Sequence, residues 1–163
     1  MSEIRRLSPH QGPRLPHRPI TLIVMHADAA ASEQGTLSWF QDPASKVSYH
    51  VLIGRTDAHG ITPVYRVVDD ERVAWHAGVS KHPACANPKS VNSESLGISF
   101  ANRHNGAEAL SAGQKAAAKA VIAAWRAKYP TIVDVVTHAN VAPSRKTDPD
   151  HAIGFDLAEY RAA

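Results

Sequence analysis

Two histidines and an aspartate carry the chemistry that this sequence suggests. His26 closes an apolar run, Ile20-Thr21-Leu22-Ile23-Val24-Met25, and His138 follows a β-branched one, Ile132-Val133-Asp134-Val135-Val136. A strand that ends in histidine presents the ring at the sheet's edge, and in α/β sheets sites gather outside the carboxyl ends of strands. Two imidazoles and a carboxylate form the donor set of a catalytic zinc, which keeps one position open for water. Either histidine alone would more often be a hydrogen-bonded side chain beside a turn. The third donor is left open by spacing: Asp148, Asp150 and His151 all follow the loop His138-Ala139-Asn140-Val141-Ala142-Pro143-Ser144-Arg145-Lys146-Thr147. Lys146 in that loop is either a solvated cation or a group placed to stabilise an oxyanion formed at a zinc-bound carbonyl. Tyr49 and His50 alternate across a strand, so one of them can face the site while the other packs elsewhere.

The elements that must position these groups are readable in outline. Residues 1–19 carry Pro9, Pro13, Pro16 and Pro19 and predict an extended arm without helix, followed by a catalytic domain over 20–163. Residues 20–25 predict a central strand buried on both faces. Ser32 caps a short helix that Asp42-Pro43 stops. Residues 48–54 and 61–68 form a hairpin around Asp57, His59 and Gly60. A polar turn or short helix at 69–72 leads to Ala74-Trp75-His76-Ala77-Gly78, then a long surface loop over 79–94 and a strand over 96–101. Ser111 and Gln114 fit a capping box for an alanine-rich helix over 115–128, with Ala117, Val121, Ala124, Trp125 and Lys128 on the stripe facing the sheet. A strand over 132–136 and a closing helix over 156–162 complete the order. The expectation is one mixed α/β domain, helices packed on a central sheet, with the zinc site at the C-terminal ends of strands.

Composition excludes several classes. A chain of 163 residues, 44% hydrophobic and 20% charged, suits one globular domain. The net charge of +3 and pI near 9.2 favour anionic surfaces such as bacterial envelopes or nucleic acid. The basic residues are scattered, apart from Arg5-Arg6, and no aromatic-basic interleaving supports a nucleic-acid platform. No apolar run reaches the roughly 18 residues of a membrane span. The stretch from Met1 to His10 lacks the apolar core of a secretory signal, so synthesis in the cytoplasm is expected and any action on the wall needs another route of release. The single cysteine, Cys85, permits no internal disulfide, and it lies in a different segment from the histidines, unlike a structural zinc site of four Cys or His ligands.

The chain resembles the zinc-dependent N-acetylmuramoyl-L-alanine amidases of the amidase_2 family, which spans phage endolysin amidases, cytoplasmic anhydromuropeptide amidases and peptidoglycan recognition proteins. The matching segments are Ile23-Val24-Met25-His26, Ser48-Tyr49-His50, Ala74-Trp75-His76-Ala77-Gly78, Leu96-Gly97-Ile98-Ser99-Phe100 and the stretch from His138 to Pro149. The resemblance implies that His26, His138 and Asp148 hold Zn2+, which selects Asp148 as the third donor. It implies that Lys146 is the oxyanion-stabilising lysine, Tyr49 the catalytic tyrosine, and Trp75 and His76 part of the substrate cleft. It further implies cleavage of the amide between N-acetylmuramic acid and L-alanine in peptidoglycan, as an endolysin does; nothing in the pattern demands a partner, so a monomer is expected. Two positions depart from the family. Ser99 stands where the cytoplasmic branch carries a glutamate, with Glu94 left on the loop before it, and Ala27 where many members have another histidine. The rival reading is a recognition module that grips peptidoglycan without cutting it; such modules generally lack a zinc ligand.

Overall fold

The apolar run builds β3 (Leu22–Ala27), all six residues buried, and it lies parallel between β7 (Ser95–Phe100) and β8 (Asp134–Thr137). A strand enclosed by neighbours and covered on both faces has no polar side, which is why its sequence is continuous rather than alternating. The computed structural model describes residues 3–163, so the first two residues of the expected arm lie outside the described residues. Within them, β4 (Val51–Ile53) runs parallel to β7 and antiparallel to β5 (Val64–Arg66), and β1 (Ile4–Arg5) runs parallel to β5. The order β1-β5-β4-β7-β3-β8 is the mixed sheet expected. Because β7, β3 and β8 are parallel, their C-terminal ends open at one edge.

The two faces differ by register. Ile23 and Met25 pack with Ile98, Phe100 and Val135 beneath α2 (Ala112–Lys128), where Tyr160 of α4 (Leu157–Arg161) is also buried. Leu22 and Val24 pack on the opposite face with Val91, Val136 and Val141. Side chains alternate along a strand, so His26 belongs to this second face. Its neighbours in register on β7 are small: Leu22 pairs with Ser95, Val24 with Gly97 and His26 with Ser99. That row of small residues leaves room above the sheet.

Ser32 caps α1 (Glu33–Trp39), and the capping box of Ser111 and Gln114 starts α2 as expected. The buried stripe of α2 is Gln114, Ala117, Ala118, Val121, Ile122 and Trp125; Ala124 and Lys128, expected on it, face solvent. The i, i+3, i+4, i+7 spacing holds with Ala118 and Ile122 completing it. Other expectations shift. The strand of His26 begins two residues later than the apolar run and continues through Ala27, because Asp28 N–H still bonds Phe100 O at 3.0 Å. The N-terminal stretch is extended but engaged: β2 (Gln11–Pro13) pairs antiparallel with β6 (Arg72–Ala74), a strand that leaves the expected polar turn, which Arg72 N–H to Asp69 O closes at 2.9 Å. The loop over 79–94 closes in a 3-10 turn, Val91–Glu94, with Ser80, Val91 and Glu94 buried. Glu94 accepts from Ala86 N and Asn87 N at 2.9 and 3.0 Å and pairs with Arg18 at 3.2 Å, so this carboxylate organises its own loop.

Candidate metal centre

His26 reaches the site from the end of β3, and His138 from the first turn of a short helix, α3 (His138–Val141). Thr137 makes that turn possible. It is the last residue of β8 and also the helix cap: its hydroxyl accepts from Asn140 N at 3.1 Å while Asn140 Oδ1 accepts from Thr137 N at 3.0 Å. A strand that passes at once into a helix throws its first helical side chain across the sheet edge. The sequence signal for α3 was Thr137-x-x-Asn140, a capping pair with asparagine in the usual Glu or Gln position. Asp148 is brought back by backbone bonds: Lys146 N–H to Ala142 O at 3.0 Å folds the loop, and Ala139 N–H to Asp148 O at 3.1 Å closes it.

The three donors meet. His26 Nδ1 and His138 Nδ1 are 3.1 Å apart, His26 Nδ1 and Asp148 Oδ2 3.3 Å, and His138 Nδ1 and Asp148 Oδ1 3.2 Å. Bonds of about 2.0–2.1 Å to a tetrahedral zinc would set donor atoms roughly 3.3–3.4 Å apart, so one face of such a tetrahedron is already drawn. Asp150 and His151, the competing donors, are exposed, and the His151 ring stacks on His104 at 5.2 Å instead.

Charge and protonation suit a divalent cation. Burial pushes the His26 pKa down to about 4, and the nearby His138 and Lys146 charges add to this against the pull of Asp148. Burial would raise Asp148, but the His138 and His26 rings packed against it outweigh that and hold the carboxyl well below the usual range. A neutral imidazole and an ionised carboxylate are the forms that bind metal. His138 Nε2–H donates to Ala77 O at 3.2 Å, which leaves the Nδ1 lone pair facing the other donors. Arg145, a residue not singled out from the sequence, donates to the same carbonyl at 2.8 Å and to Val79 O at 2.8 Å.

Buried imidazoles also predict how the metal-free protein responds to acid. His50, fully buried, is pushed down to about 3 by burial and then by the Arg14 charge. Both His26 and His50 protonate near 6.5 when unfolded and only near 4 and 3 when folded. Stability is therefore full above pH 6.5 and lost as the pH falls toward the folded values. With a chelator present, urea unfolding at pH 5 should come earlier than at pH 7.5, by roughly 1–2 kcal/mol for each histidine. An identical midpoint at both pH values would show that these rings are not held neutral.

The other expected residues divide. Lys146 is partly buried, close enough for its charge to act on His26. The Tyr49 ring lies 4.8 Å from the His26 ring. Burial, then the Asp148 and Asp28 carboxylates, push the Tyr49 phenol above its ordinary value, so at neutral pH it stays protonated and serves as a hydrogen-bond donor, not as a base. Tyr49 also lines a cavity of about 250 Å³ together with Asp28, Thr36 and the half-exposed Trp39. Trp75 is 39% exposed and lies against His10, with ring centroids 5.6 Å apart. His76, expected in the cleft with Trp75, is instead buried behind the donors, its Nδ1 3.0 Å from His26 Nε2 and its Nε2 3.0 Å from Ser95 Oγ. Gly97 makes the space: a Cβ there would come within 2.6 Å of His76 Cγ.

Comparison with known proteins finds the family described as N-acetylmuramoyl-L-alanine amidase matching residues 16–151. The chain is 36% identical over 118 residues to the 1,6-anhydro-N-acetylmuramyl-L-alanine amidase AmpD of Salmonella typhimurium, covering 72% of this chain and 57% of that relative. The chain thus spans little more than half the length of that relative. The crystal structure of a Se-Met AmpD derivative superposes with a TM-score of 0.73 at 27% identity, covering 98% of this chain and 93% of the other. A mutant endolysin from Bacillus subtilis shares the fold, with a TM-score of 0.60 at 20% identity over 86% of this chain and 85% of that one.

Proposed function

The chain belongs to the N-acetylmuramoyl-L-alanine amidase family, and from that premise we propose that it hydrolyses the amide joining the lactyl group of N-acetylmuramic acid to L-alanine in peptidoglycan. The observation that carries this is the 3.1–3.3 Å spacing of His26 Nδ1, His138 Nδ1 and Asp148 Oδ2 at the open edge of the sheet. A zinc ion held by these three would supply a water ionisable near neutral pH and polarise the scissile carbonyl. Lys146 contributes positive charge where the carbonyl oxygen becomes an oxyanion. Tyr49, locked in its protonated form, donates a hydrogen bond to the reacting group and shields the His26 ring from water. Hydrolysis leaves a carboxylate on the lactyl group and a free amine on L-alanine. A binding-only module has no need of this complete set, so catalysis is the reading supported.

Defined muropeptides incubated with the protein should yield free stem peptide with an L-alanine N-terminus. A chelator should stop the release and added Zn2+ restore it. Cleavage within the glycan or between stem residues would refute the assignment, as would tight binding with no product.

The finer placing is an endolysin-like enzyme that reaches the wall after release from the cytoplasm. It is supported by Tyr49 against His26 and by Ser99, not a carboxylate, at the β7 position paired with His26. Purified sacculi and a soluble 1,6-anhydro-muropeptide, offered in parallel, separate the settings. Solubilised sacculi fit lysis, whereas turnover of the soluble anhydro-muropeptide alone would reassign the chain to wall recycling.

A further inference from the structure

His76 sits where no substrate reaches it, yet it touches a metal donor, and the direction of its hydrogen bonds can be worked out from the far end. Ser95 Oγ lies 2.8 Å from Val91 O. A carbonyl only accepts, so the single Ser95 hydroxyl proton is committed to it. Ser95 Oγ must then act as acceptor toward His76 Nε2, 3.0 Å away, and that nitrogen carries the His76 proton. A neutral imidazole has one N–H, so His76 Nδ1 is a lone pair and accepts from His26 Nε2–H at 3.0 Å. The remaining nitrogen of His26, Nδ1, is therefore bare, and it is the atom that faces His138 and Asp148.

We propose that His76 is a positioning residue: with Ser95 and the Val91 carbonyl it forms a one-way relay that fixes the tautomer and ring orientation of His26 for metal binding. The inference rests on the zinc reading of the three donors. Metal-binding histidines usually find a carboxylate, carbonyl or water for their second nitrogen. Here a second histidine takes that place, and it fits only because Gly97 has no side chain. The Ala77 carbonyl does the same for His138, so neighbouring residues of one segment hold both rings. The reverse relay would put a proton on His26 Nδ1, aimed at the metal position, and would leave the Val91 carbonyl without its hydroxyl donor.

The test is zinc affinity by chelator competition, with His26 nitrogen protonation read by long-range ¹H–¹⁵N NMR. His76→Leu keeps volume but removes the acceptor, and its zinc affinity should fall roughly 10–100-fold. His76→Asn returns a carbonyl oxygen near the place of Nδ1 and should recover most of that loss. The wild-type spectrum should show the His26 proton on Nε2 only. His76→Leu binding within about threefold of wild type, His76→Asn no better than His76→Leu, or a proton on His26 Nδ1 would each overturn the inference. If His76→Leu does not fold, the wild-type spectrum decides. A wild-type protein that takes up no zinc sinks the proposed function itself. Normal wild-type binding with an indifferent His76→Leu sinks only the relay.

Discussion

His138→Ala is expected to abolish zinc binding and turnover together. The imidazole supplies one of three donors 3.1–3.3 Å apart, and without it only His26 and Asp148 remain to hold the ion. A Lewis acid is worth several kcal/mol of transition-state stabilisation, and each 1.36 kcal/mol is a factor of ten, so the rate should fall by roughly a thousandfold or more. Metal content by mass spectrometry and release of L-alanyl stem peptide read the two losses separately. Asp150→Ala and His151→Ala are the matched controls. Both positions are exposed, and both variants should keep metal and rate. Substantial activity in zinc-free His138→Ala would dismiss the metal mechanism, and loss of metal in Asp150→Ala would reopen the choice of third donor.

Lys146→Ala should separate what His138→Ala joins. Lys146 is no donor in the cluster, yet its charge is felt at His26. Zinc content should stay at the wild-type level while kcat falls by roughly 10²–10³-fold, the cost of losing one stabilising group at an oxyanion. The loss should appear in kcat more than in KM, since the charge is matched to the transition state and not to the neutral amide. Near-normal kcat in a zinc-loaded Lys146→Ala would remove the lysine from the mechanism.

Much of the scaffold could be read before any coordinates. Continuous apolar runs mark strands buried on both faces, and they located β3 and β8 and with them two donors. Ser111 with Gln114, Ser32 and Asp156 are side chains that bond their own backbone, so local sequence was enough to start α2, α1 and α4. Spacing alone places Ala124 and Lys128 on the buried stripe of α2, yet both are exposed, because the sheet decides which side of an alanine-rich helix is covered. The pairing of β2 with β6 was not visible, since Gln11-Gly12-Pro13 and Arg72-Val73-Ala74 have no strand pattern until they meet.

By itself the sequence determined the chemical kinds present, the two strands that bring the imidazoles to the sheet's edge, and a mixed α/β layout. Local propensity and period-two burial act over a few residues, and those suffice. Spacing left the third donor open and the family resemblance named Asp148; how Asp148 arrives, and where His76 sits, were decided only in three dimensions. Asp148 returns through two backbone hydrogen bonds that no periodicity encodes. His76 drops behind His26 because Ser95, Gly97 and Ser99 share one face of β7, and that vacancy acquires meaning only when a strand distant in the chain lies alongside it.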